Sequence, residues 1–170
     1  MHSSTKSACK VNDTSVNERL AGILVQAELD EYRVANYQVT LFFVKSVGAK
    51  LRRISIIFDC NASIISWKEA MHFEVLRDDE VACRQKFLGD LFLLFGCPVK
   101  EVATKSDGGL CIKFSEEQVI VLHVAEEELI GDDWVWRIED EKGDDGDNVQ
   151  SVSCVVVQAD NRRSINFLVK

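Results

Sequence analysis

The sequence predicts an α+β domain: an antiparallel β-sheet, in two related meanders, with one main helix packed on a face. Three observations predict it. Val and Ile supply 32 of the 170 residues against a single proline, Pro98, a composition that favours strands. Short apolar stretches recur, several alternating in parity, with turn residues between them. One segment, 78–95, carries the caps and spacing of an amphipathic helix. An apolar fraction of 46% with 28% charged residues excludes a disordered chain or a fibrous repeat.

Residues 1–15 are polar and read as a flexible tail ahead of one domain, 16–170. The stretch LAGILVQAEL (20–29) fits a short helix and a strand equally. Residues 37–44 form a strand, and 51–59 return beside it through a turn at Gly48, with Ile54, Ile56 and Phe58 on one face. Residues 67–76 are read as a third strand. In the helix, Asp78, Asp79 and Glu80 favour the positive end of the dipole. Val81, Leu88, Leu91, Phe92 and Phe95 make its stripe, Gly96 ends it in a left-handed conformation and Pro98 bars continuation. Strands follow at 99–104, 110–114 and 119–124, the last apolar on both faces and therefore central. Trp134, Trp136 and Ile138 share one face of a further strand, read as core, with Arg137 and Glu139 opposite. A polar loop leads to a C-terminal hairpin over 149–169. Segments 19–76 and 87–139 echo each other, Gly22 aligning with Gly96 and Val25 with Val99, as a duplicated meander would.

Charge is distributed unevenly. Net charge is −8, which disfavours a nucleic-acid binder and attraction to an anionic membrane. Residues 116–147 hold thirteen acids against Arg137 and Lys142, a net of −11, and the rest of the chain carries +3. Such self-repulsion costs stability, and a docking surface for a cation-rich protein would select for it. The candidate contact residues are Glu126, Glu127, Glu128, Asp132, Asp133, Asp140, Asp144 and Asp145, taken to converge as one negative face. The run EDEKGDDGD (139–147) lacks the ligand spacing and closing Glu of a calcium loop, so no metal is expected there.

Catalytic signatures are missing. There is no G-x-S-x-G, no phosphate-binding glycine loop, no H-E-x-x-H and no C-x-x-C pair. Neither cofactor nor enzymatic activity is expected. Two rivals carry their own expectations. A small-ligand module needs an enclosed pocket lined by Phe42, Phe58, Phe92 and Trp136. A Cys/His enzyme needs Cys60, Cys97 or Cys111 beside His72 or His123 in a polar cleft. No apolar run approaches the length of a membrane span, the N-terminus lacks the apolar centre of a secretion signal, and the scattered cysteines suit a reducing cytosol.

The segment 88–139 runs helix, L-F-G, V-K-E-V, turn, G-L-C-I-K-F, polar turn, V-I-V-L-H-V, acidic stretch and W-V-W-R-I. In this order it resembles small acidic β-rich immunity proteins of bacterial polymorphic toxin and contact-dependent growth inhibition systems. Ser115-Glu116-Glu117-Gln118 stands where many such proteins carry an Asp-Gly turn. The resemblance implies a cytoplasmic, non-catalytic protein that covers a cognate basic toxin domain, often a nuclease. It leaves the oligomeric state open.

Overall fold

The computed structural model describes residues 5–10, 14–72, 80–123, 134–141, 149–157 and 162–169. The strands are β1 (Thr5–Lys10), β2 (Glu28–Ala35), β3 (Gln38–Val47), β4 (Lys50–Phe58), β5 (Ala62–Ile65), β6 (Glu101–Thr104), β7 (Leu110–Lys113), β8 (Val119–Leu122), β9 (Trp134–Glu141), β10 (Val149–Val157) and β11 (Arg162–Val169). The helices are α1 (Thr14–Leu24), α2 (Trp67–His72) and α3 (Glu80–Asp90), with a 3-10 turn at Leu91–Leu94. The strands form two antiparallel sheets, ordered β1-β11-β10-β9-β4-β3-β2 and β5-β8-β7-β6. The chain is therefore an α+β protein, as its composition and patterning predict.

Alternation selects which faces meet. Val39, Leu41 and Phe43 of β3, Ile54, Ile56 and Phe58 of β4, and Trp136 and Ile138 of β9 are buried. They join Leu110, Ile112, Ile120 and Leu122 of the smaller sheet in one core. β8 is central and buried at all four positions. Trp136 donates its indole N–H to the carbonyl of Gly108 at 2.8 Å, so the largest buried side chain leaves no donor unmet.

Three local expectations differ from the structure. Residues 5–10 are not tail: they pair along β11 from Thr5↔Val169 to Lys10↔Ser164. The helix α1 begins inside the expected tail, because Val16, Leu20, Ile23 and Leu24 lie on one side of a helix and are all buried. Over 67–72 the chain is helical where a strand was expected, and the strand β5 precedes it. Ser66 explains this. Its hydroxyl accepts the N–H of Glu69 at 3.3 Å, while the Glu69 carboxylate accepts the N–H of Ser66 at 3.0 Å. This reciprocal cap starts a helix at Trp67.

The main helix lies close to its expected span, but its end tightens. After Asp90 the chain makes a 3-10 turn, Phe95 leaves it in an extended conformation (ψ 131°) and Gly96 is left-handed (φ +70°). The tightening rotates Phe92 and Leu93 into solvent, while Leu91 and Leu94 stay buried. Phe87, outside the expected stripe, is buried edge-on to Phe58.

The internal echo has a spatial form. Each half runs helix, three-stranded meander, then a fourth strand that leaves for the other sheet. β5 follows the first meander and pairs with β8, and β9 follows the second and pairs with β4. Where the halves cross, hydrogen bonds repeat at a constant offset of 70 positions. Ala27 N–H to Leu24 O (2.9 Å) matches Cys97 N–H to Leu94 O (3.0 Å), and Gln26 N–H to Val99 O (2.8 Å) matches Gly96 N–H to Leu29 O (3.0 Å). Glu28 and Pro98 bridge on the local two-fold. Gly96 is thus equivalent to Gln26, also left-handed at φ +70°, and not to Gly22 as the sequence alignment has it.

Candidate functional surface

β9 carries the centre of the acidic segment, and its alternation sorts the acids. Trp136, Ile138 and Asp140 face the core, so Asp140 is fully buried. Arg52 on β4 points inward beside it and grips both carboxylate oxygens, Nε to Oδ1 at 2.8 Å and Nη2 to Oδ2. Lys45 closes the same end of the core by donating to the carbonyls of Gly22 and Ile23 at the end of α1 (2.9 and 3.3 Å). Burial, and then Arg52, hold the Lys45 ammonium below its ordinary pKa, and Asp140 pulls the other way. Asp140 is therefore not a contact residue for a partner. The polar loop expected over 140–148 therefore starts later than its sequence suggests: Asp140 and Glu141 belong to β9, and the alternation of Trp136 and Ile138 extends to Asp140.

Two further acids of the segment are held by the chain's own cations. Glu116 meets Lys113 at 2.6 Å, and Glu139 meets Arg137 at 2.7 Å. Lys113 also approaches Glu101 (3.5 Å) and lies over the Trp67 ring at 4.6 Å. The hydrogen bond that Lys113 donates to Glu116 is the main cause that raises the Lys113 pKa. Glu117 is exposed. Glu126, Glu127, Glu128, Asp132, Asp133, Asp144 and Asp145 lie outside the described residues, but the ends of their segments do not. Residues 124–133 join His123 to Trp134, and 142–148 join Glu141 to Val149. Trp134 and Glu141 are opposite ends of β9, about 23 Å apart for an eight-residue strand. The candidate carboxylates thus belong to two segments anchored at opposite ends of one strand. Arg53 stands opposite Glu141, the last described residue before the second segment.

The residues available for chemistry are packed. His123 and Ser63 share the outer face of the smaller sheet, with Oγ and Nε2 2.7 Å apart. Burial depresses the His123 pKa to about 4, Lys105 adds to the depression and Asp107 opposes it. The neutral imidazole is a packed hydrogen-bonding group. Sequence reading missed this pair because its members are 60 positions apart; only the antiparallel pairing of β5 with β8 joins them. Cys111, on the same face, is fully buried, and desolvation pushes its thiol up to about 11, far from a reactive thiolate. Cys60 is buried and Cys97 partly so. Among the described residues no cluster of three or more His, Cys, Asp or Glu is arranged to hold a metal.

The four aromatics proposed to line a ligand pocket do not meet in one. Phe58 and Trp136 are core residues and Phe92 is exposed. Phe42 lies on the opposite face of the larger sheet, between the guanidiniums of Arg53 (4.3 Å) and Arg33 (5.0 Å). Glu31 binds both arginines, at 2.6 Å to Arg33 and 3.1 Å to Arg53, and its hydrogen bond from Arg33 is the largest cause of its lowered pKa. A shallow surface depression lined by Ile64, Ile65, Ser66, Lys68, Glu69 and Glu117 includes none of the four. No helix among the described residues is long and apolar enough to cross a membrane. In comparisons with known proteins, no family model, curated protein or solved structure matches the chain.

Proposed function

We propose that this chain is a binding protein without chemistry of its own, which neutralises a cationic protein in the cytosol as an immunity protein holds a basic toxin domain. The observation that carries this reading is a contrast within the acidic stretch. Glu116, Glu139 and Asp140 are satisfied by Lys113, Arg137 and Arg52. Residues 124–133 carry five carboxylates and no cation in ten positions. The sequence thereby places its densest run of acids without an intervening cation in one short segment, which suits a partner whose nucleic-acid cleft is positive. Glu126, Glu127, Glu128, Asp132 and Asp133 make the principal contact. Asp144 and Asp145, from the other end of β9, make a second one.

The test is kinetic and cellular. The neighbouring reading frames are searched for the basic domain this reading requires, the chain is co-expressed with it, and growth is followed. Protection of the host supports neutralisation, and growth arrest in its presence overturns it. Association with the purified domain is then measured against ionic strength. Reversing Glu126, Glu127, Glu128 and Asp132 to Lys should slow association by about tenfold or more and flatten its salt dependence. An unchanged association rate would remove this surface from the proposal.

A further inference from the structure

The two halves of the fold treat their outermost strands differently. β6 and β2 occupy equivalent ends of the two sheets. Along β6 lies α1, and the Asn17 side-chain carbonyl accepts both the backbone N–H of Thr104 (3.0 Å) and its hydroxyl (2.9 Å). That edge is closed by the chain itself. β2 has eight residues against four in β6; among the described residues its outer edge is engaged at its start, where Leu29 O accepts Gly96 N–H, and Arg84 of α3 donates to the Tyr37 carbonyl in the turn that follows it. Beyond Leu29 a bulge at Asp30 interrupts the register with β3. Among the described residues, no hydrogen bond reaches the outer edge of 30–35.

Register decides which backbone groups point outward there. Ala35 pairs with Gln38 across the two-residue turn Asn36-Tyr37. In such a hairpin the closing pair is hydrogen-bonded, so Ala35, Arg33 and Glu31 bond inward to β3, and Tyr32 and Val34 turn N–H and C=O outward. Apolar side chains gather at the same edge. Tyr32 stands edge-on to Phe92 at 5.9 Å and stacks on Phe95 at 6.2 Å. Val34 (46%) and Phe92 (64%) stand exposed here, and Tyr37 (80%) stands exposed in the turn that follows β2. An open strand edge with an apolar border is a pairing surface.

We infer that β2 pairs with β2 of a second copy of this chain, antiparallel about a two-fold axis at Tyr32, joining the two larger sheets edge to edge. The order Glu31-Tyr32-Arg33 singles out a second copy. With Tyr32 opposite itself, Glu31 of each chain faces Arg33 of the other on the outer face, and the sequence is its own charge complement. The same register sets the outward groups of Val34 against the backbone of Asp30, giving about four to six inter-chain backbone hydrogen bonds. The Phe92 rings beside Tyr32 of the two copies then approach on the inner side. β3 and β4 separate this edge from β9, and the pairing is argued from other residues than the proposed partner contact, so the two stand independently.

Sedimentation of the full chain under reducing conditions, over a wide concentration range, tests the pairing. A closed dimer is expected. Arg33→Glu sets Glu31 against a like charge twice and should weaken the dimer by about tenfold or more, and Glu31→Arg combined with Arg33→Glu should restore it. Val34→Pro removes an outward N–H without touching the β3 ladder and should give a folded monomer. If that variant does not fold, the charge swap still decides. A chain that stays monomeric at the highest concentration, open-ended polymers, or a dimer indifferent to the charge reversal would each overturn the inference.

Discussion

Arg52→Met leaves the Asp140 carboxylate at zero exposure without its bidentate partner. Removing one member of a buried ion pair costs about 3–5 kcal/mol, because a desolvated charge is left uncompensated. Arg52 is itself 20% exposed, and Lys45 lies close enough to feel both charges, so the lower end of that range applies, about 3 kcal/mol. For a chain of 170 residues this corresponds to a fall in Tm of about 6–12 °C. Replacing both partners, Arg52→Met with Asp140→Leu, removes the stranded charge and should recover most of the loss. Urea unfolding of the wild type, the two single variants and the double variant completes the cycle, with equal m-values as the control. A cost below about 1 kcal/mol for Arg52→Met, or a double variant no more stable than Arg52→Met, would refute the assignment of Asp140 as a paired core residue.

The His123 imidazole has a folded pKa of about 4 against an ordinary value of 6.5, so the unfolded chain binds more protons between these values. The stability it contributes is complete above pH 6.5 and is lost as pH falls toward 4, by about 3 kcal/mol, a dependence that urea titrations of His123→Gln should lack. Iodoacetamide at neutral pH should label exposed Cys83 rapidly and leave Cys60 and Cys111 unmodified until the chain unfolds; fast native labelling of Cys111 would contradict its raised pKa. Gln26→Gly should raise stability by up to about 1 kcal/mol in thermal melts, and Gly96→Ala should lower it by about as much, because both positions are held at φ +70°. Equal effects of one sign would show that the two positions are not conformational equivalents.

Much of the fold is local and was legible. The β3–β4 hairpin, the parity of Ile54, Ile56 and Phe58, the central β8 and the left-handed Gly96 follow from period, turn residues and caps within a few positions of each other. The helix at Trp67 was equally local, written in Ser66 and Glu69, and was obscured by the apolar residues around it. The duplication was visible, but with the wrong pairing, because a glycine matched to a glycine outweighed the left-handed Gln26. The placing of the acidic residues was least legible. Thirteen carboxylates in 32 positions look alike in a sequence, yet Lys113 and Arg137 hold two and Arg52 draws a third into the core.

The sequence by itself determined which segments extend, where chain reversals fall, which faces are apolar and where charge accumulates. Neighbours within a few positions set these properties through steric and hydrogen-bonding rules. Tertiary structure alone decided that β5 and β9 change sheets, that Ser63 meets His123, that Arg52 neutralises Asp140 across 88 positions, and that the edge strand β6 is met by Asn17 of α1. A side chain's charge is a property of the residue. Its solvation and its partner depend on which distant strand lies beside it.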